Sequence, residues 1–327
     1  MMSLFSKTAI ASAVLSVSFA ANANVLTTIK PLGFIASSIA DGVTETEVLL
    51  PASASPHDYS LKPSDVQKVK EAQLVLWIGE DVDAFLEKTV DGLDEKNVLT
   101  IADIKGVEPL LSEGSEHHHH HDHDHDGHGK HADHDHEKHE AHEHHHDHEG
   151  HHHGEHELNW HVWFSPKVSE LVAEQLAEKL IAQYPDKKAL IAQNLADFKT
   201  NLTEQSAKIT QQLVPVKGKG FYVFHDAYGY FNETYGLQQT GSFTINPLVA
   251  PGARTLAKIK SEIEQHKVSC LFAEPQFTPK VIESLQKSTG VHVGTLDPLG
   301  EKVALGKNSY GAFLQNIADS YIQCLVQ

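Results

Sequence analysis

Three things are scarce in this chain: cysteine, positive charge and long apolar runs. Only Cys270 and Cys324 occur among 327 residues. In an oxidising compartment an isolated pair of this kind usually forms a disulfide, and two buried free thiols are the alternative. Lysine and arginine number 26 against 44 acidic residues, a net charge of −18. That balance disfavours nucleic acid and anionic lipid as partners and is compatible with cations. After residue 23 no stretch approaches the roughly 18 consecutive apolar residues of a membrane helix, so the sequence predicts no span. No helix suggested by the pattern carries an H-E-x-x-H pair, which removes the usual signature of a zinc hydrolase.

The N-terminus has the pattern of an export signal. Lys7 supplies one charge, an apolar run covers 8–20, and Ala21 and Ala23 stand in an A-x-A arrangement. Cleavage after Ala23 would leave an exported chain starting at Asn24, and no cysteine near that point offers a lipid anchor. At about 150 residues per domain the remainder predicts two domains.

Strand and helix patterns then alternate. The runs VLTTIK (25–30), TETEVLLP (44–51), LVLWIG (74–79) and NVLTI (97–101) read as strands. Helices are expected over 31–42, 64–73 and 81–90. Strict alternation predicts a parallel sheet covered by helices on both faces. Ser165 and Pro166 then form a good N-cap and first-turn pair for a helix. A second helical run from 186 to about 214 could extend roughly 40 Å at about 1.5 Å per residue, long enough to join two lobes. Alternation resumes with strands near 220–225, 237–243, 268–274 and 291–296, and a last helix over 309–326. The fold class expected is α/β. Two lobes, each a parallel sheet flanked by helices, are joined by a long rigid helix. We place the N-terminal lobe at 24–165, a helical region at 166–214 and the C-terminal lobe at 215–327.

Of the 26 histidines, 21 lie in residues 117–156 together with 11 acidic residues and 2 lysines. The other five are His57, His161, His225, His266 and His292. His225 directly follows a strand, at the carboxyl end where open α/β sheets bind ligands. His57 lies in a loop after a strand on the same edge of its lobe, and His161 precedes the Ser165 helix start. Three imidazoles at strand edges suit zinc, with a carboxylate or water completing a tetrahedron. Asp297, at another strand end, is the carboxylate candidate. A partly buried capping or polar role is the alternative for each histidine, and it is the one assigned to His266 and His292.

The segments LLPASASPHDYSLKPSD, NWHVWFSP, GKGFYVFHDAYGYF, LFAEPQF and GTLDPLG, together with the histidine-rich insertion, resemble the ZnuA-type periplasmic zinc-binding proteins. The resemblance covers essentially the whole chain after the signal. It implies a C-clamp of two lobes with zinc between them, serving the inner-membrane permease of a zinc ABC importer. It also implies that His57, His161 and His225 are zinc ligands and that Cys270 pairs with Cys324. Relatives often carry an acid in the loop before S-P-H-D, where this chain has Ala52, so the fourth ligand is Asp297 or a water. Related manganese binders pair two histidines with two carboxylates, and the third histidine favours zinc. Asp58, Asp226 and Glu274 adjoin these motifs and are candidates either to orient the imidazoles or to cap helices.

Residues 115–157 have no apolar face, and the sequence predicts a disordered loop that collects zinc weakly and multivalently. Below about pH 6 most of its imidazoles would protonate and release metal. The leading function is a monomeric periplasmic solute-binding protein, not an enzyme. The alternatives are an exported zinc hydrolase with Glu274 or Asp297 as base, a periplasmic zinc buffer or chaperone working through the tract, and a manganese-binding importer component.

Overall fold

Short apolar runs make the interior strands of two separate sheets. The first contains β1 (Asn24–Thr27), β2 (Glu45–Val48), β3 (Leu74–Trp77) and β4 (Val98–Thr100), all parallel in the order β2-β1-β3-β4. β1 and β3 are buried at every position while β2, on the edge, is partly exposed, as expected of a parallel sheet with both faces covered. The second sheet repeats the arrangement with β5 (Phe221–His225), β6 (Gln239–Thr244), β7 (Cys270–Ala273) and β8 (His292–Thr295), in the order β6-β5-β7-β8. In each sheet the strand order reverses beside the first strand, between β1 and β3 and between β5 and β7. Such switch points open a crevice at the carboxyl ends of the strands. This computed structural model describes residues 24–112, 158–244, 247–277 and 280–327. The expected signal peptide, 1–23, and the histidine-rich tract, 115–157, lie outside the described residues.

The first lobe carries α1 (Lys30–Ile39), α2 (Pro63–Glu71), α3 (Glu80–Asp83) and α4 (Glu87–Val90). The sequence suggested one helix over 81–90, and the structure has two single turns. The cause is Asp83, which turns fully inward to accept from Thr28 Oγ1 and the Ile78 amide, both at 2.9 Å. Helix α5 (Pro166–Gln183) begins at Ser165, whose side chain accepts from the Val168 amide at 3.3 Å. Helix α6 (Lys188–Leu213) is 26 residues long, which corresponds to about 39 Å. It packs on α1, α5 and the C-terminal helix. Asn194, buried within it, donates to the carbonyls of Ile39 and Asp41 at the end of α1. The second lobe carries α7 (Gly229–Tyr235), α8 (Ala253–Glu264), α9 (Lys280–Thr289) and α10 (Ser309–Leu325).

The long helix is not the only link between lobes. Phe34 of α1 meets Phe313 of α10 with ring centroids 5.3 Å apart, and Phe164 lies 5.5 Å from Phe313 and 5.2 Å from Tyr228. One apolar core therefore runs from the first sheet through α5 and α6 into the second lobe. A smaller cluster under α8 and α9 covers the far face of the second sheet. The cysteines are joined as Cys270–Cys324, tying the start of β7 to α10.

Candidate metal centre

Three histidines approach one another where the two lobes meet. His57 lies in a single 3-10 turn, Pro56–Asp58, after β2, and its amide donates to Ser55 Oγ at 3.2 Å. His161 caps the turn Val162–Phe164 that leads into α5. His225 is the last residue of β5, at the switch point of the second sheet, and is only 4% exposed. One ring nitrogen from each falls within 4.8 Å of the other two. The ring centroids are 5.6 Å apart for His57 and His161, 5.0 Å for His57 and His225, and 4.6 Å for His161 and His225.

Burial sets the chemistry of these rings. It pushes His161 down to about 3, with His57 adding to the effect, and it drives His225 well below the ordinary imidazole value. His57 is lowered by burial against the opposing charge of Asp58. Neutral imidazoles keep the lone pair that a metal requires. Nε2 of His161 and Nε2 of His225 are buried and have no hydrogen-bond partner. Such orphaned acceptors are costly unless something else occupies them. The cavity they line, with Trp163, Glu274, Phe277, Pro298 and Leu299, is about 20 Å³. A void of about 10–15 Å³ suffices for one water, so this one is of a size for a single small ion.

The neighbouring polar groups divide into two sets. Glu274 is fully buried and pushed up to about 8 by burial, with the charge of Asp297 adding and the Tyr228 hydroxyl, which donates to it at 2.9 Å, opposing. Its Oε1 stands 3.8 Å from His225 Nδ1, too far for a hydrogen bond. Asp297 is occupied elsewhere. Its Oδ1 accepts from the amides of Leu299 and Gly300, both at 3.1 Å, and from Gln276 Nε2 at 3.2 Å, while Oδ2 accepts from the Glu301 amide at 2.6 Å. Asp297 thus organises the turn after β8, and the structure does not bring it into the group formed by the histidines. Gln276 also donates to the Ala52 carbonyl at 3.1 Å, tying the loop of His57 to the second lobe.

Sequence reasoning missed Asn159. Its Oδ1 accepts from the His161 amide at 3.0 Å and faces His161 Nδ1 at 2.8 Å. The sequence signal was a polar residue opening the NWHVWFSP segment, two positions before a candidate ligand.

The family model described as ZnuA, zinc-uptake complex component A, periplasmic, matches residues 25–324. The chain is 65% identical over 337 aligned residues to the high-affinity zinc uptake system protein ZnuA of Haemophilus influenzae, covering all of both chains. It is 43% identical to the protein of the same name from Yersinia pestis, covering 93% of this chain and 92% of the other. Among solved structures, the periplasmic zinc binding protein TroA of Treponema pallidum superposes with a TM-score of 0.69 at 19% identity, covering 93% of this chain and 99% of that one, a likeness of fold. A family match over residues 25–324, with relatives 65% and 43% identical over nearly their whole length, establishes that this chain belongs to the ZnuA family of periplasmic zinc-uptake components.

Proposed function

We propose that the protein captures Zn(II) through His57, His161 and His225 and passes it to the inner-membrane permease of an ABC importer. The observation that carries this reading is the convergence of one ring nitrogen from each of His57, His161 and His225 within 4.8 Å, with Nε2 of His161 and of His225 buried and unpartnered. A tetrahedral zinc site needs about four donors. Because both oxygens of Asp297 already accept backbone amides, water suits the fourth position better than that carboxylate. Two of the ligands come from the first lobe and one from the second, so a small rearrangement of the lobes at the permease would open the site. Residues 1–23 act as the export signal, and the mature protein works as a monomer. Residues 117–156, with 21 histidines, serve as an accessory collector whose separate ligands hold zinc more weakly than a preorganised site.

The test is a zinc competition titration against a chelator of known affinity on the mature protein, with and without residues 117–156. One tight site that survives the deletion and disappears with His57→Ala or His225→Ala supports the reading. Loss of all tight binding on deletion would transfer the function to the tract and make the protein a zinc buffer.

A further inference from the structure

We propose that Asn159 is the positioning residue of this site: it locks His161 in the tautomer that presents Nε2 to the metal and ties that ring to the strand end carrying His225. The inference rests on the reading of His161 as a zinc ligand. The orientation of an amide side chain and the tautomer of an imidazole are normally inferred from their partners, and here the partners determine both. The His161 main-chain N–H can only donate, and it points at one end of the Asn159 amide at 3.0 Å, so that end is the oxygen. The other end, Nδ2, donates to the Asp226 carbonyl at 3.5 Å. With Oδ1 facing His161 Nδ1 at 2.8 Å, the nitrogen that faces it must carry the proton. Nε2 is then the bare nitrogen, the same atom that is buried without a partner beside Nε2 of His225.

Asn159 is itself held from the second lobe. The Tyr230 hydroxyl of α7 donates to the Asn159 carbonyl at 2.5 Å and accepts from the Ser112 amide at 3.0 Å, while the Asn159 amide donates to the Ser112 carbonyl at 2.9 Å. Asn159 is 8% exposed, and Gly229 at the start of α7 packs beside it, a Cβ there standing 3.4 Å from Nδ2. One buried side chain therefore joins the His161 ring of the first lobe to the Asp226 backbone, next to His225, in the second.

Two measurements on the full chain test this. In the zinc-free protein labelled with 15N-histidine, two-bond 1H–15N spectra, with His161 assigned by its loss in His161→Gln, should show Nδ1 protonated and Nε2 bare. The opposite tautomer, or an averaged one, overturns the proposal. The second is zinc competition on Asn159→Leu, Asn159→Asp and His161→Gln. Losing an outer-shell partner typically weakens metal binding by about 10–100-fold, and that loss is expected for Asn159→Leu. Asn159→Asp keeps an acceptor for both His161 N–H groups but loses the donor to the Asp226 carbonyl, so it should lose clearly less affinity than Asn159→Leu. Equal loss in both Asn159 variants, or none in Asn159→Leu while His161→Gln loses the tight site, overturns the positioning role alone. No loss in His161→Gln overturns the ligand reading and the proposal with it. Should Asn159→Leu fail to fold, the tautomer of the unsubstituted protein decides.

Discussion

The rings of His57 and His225 meet edge-on, with centroids 5.0 Å apart and planes at 89°, although one hangs from a loop of the first lobe and the other ends β5 of the second. The metal group therefore exists only while the lobes keep their relation, and that relation is held by the core that Phe34, Phe164 and Phe313 share. Removing either histidine should cost more than the roughly 10–100-fold typical of an outer-shell change. His57→Ala and His225→Ala should each abolish tight zinc binding in a competition assay while leaving the far-UV circular dichroism unchanged. Retention of tight binding in either would remove that residue from the ligand set.

The Cys270–Cys324 bond closes a loop with a sequence separation of 54. The chain-entropy model assigns such a loop about 4 kcal/mol. Replacing both cysteines with alanine should lower the unfolding free energy from denaturant titration by an amount approaching that value and leave zinc affinity untouched, because neither residue lines the metal cavity. A double variant as stable as the parent would show that the loop adds nothing.

Asp83 gives a pH signature that does not involve the metal. Burial pushes its carboxyl up to about 6, against the hydrogen bonds from Ile78 and Thr28. The folded protein therefore holds this proton between about pH 4 and 6, where the unfolded chain has lost it, and stability falls as pH rises through that window. A shift of about 2 units is worth roughly 3 kcal/mol. Glu274, also raised, contributes with the same sign, and the lowered histidines contribute with the opposite one. The difference between the parent and Asp83→Asn isolates the single group. The gap in unfolding free energy, Asp83→Asn minus parent, should become more favourable to the variant as pH rises from 4 to 6. A pH-independent gap would show that Asp83 ionises freely in the folded state.

Much of this was legible in the sequence, for a physical reason. Parallel strands buried on both faces read as short apolar runs, and ligand sites in such sheets lie at the carboxyl ends, so a histidine closing FYVFH is conspicuous. The Ser165–Pro166 start of α5 and the length of α6 follow from capping and periodicity. What the pattern could not show depends on where side chains point. Asp83 breaks the 81–90 helix because a buried acceptor draws the chain inward, and spacing carries no trace of that bond. Asp297 is a strand-end carboxylate by sequence, yet three backbone amides of the turn from Asp297 to Glu301 take up its oxygens. Asn159 opens the NWHVWFSP segment, but nothing in the spacing shows that its side chain turns back onto the His161 ring.

Protons should compete weakly with metal at this centre. A free imidazole titrates near 6.5, so three ordinary histidines would each lose about tenfold in neutral fraction between pH 7.5 and 5.5, together about 1000-fold in zinc affinity. Here burial lowers all three, His161 to about 3. A lowered pKa favours the neutral, metal-binding form, and protonation begins only as pH falls toward the lowered value. Glu274, raised to about 8, would release a proton of its own when a cation binds beside it. Glu274→Gln removes that contribution while keeping an acceptor for the Tyr228 hydroxyl. In this background, competition titrations should show zinc affinity at the tight site falling by less than about tenfold between pH 7.5 and 5.5. A fall near 1000-fold would mean that the three rings titrate as free imidazoles do, and that their burial does not protect the site from acid.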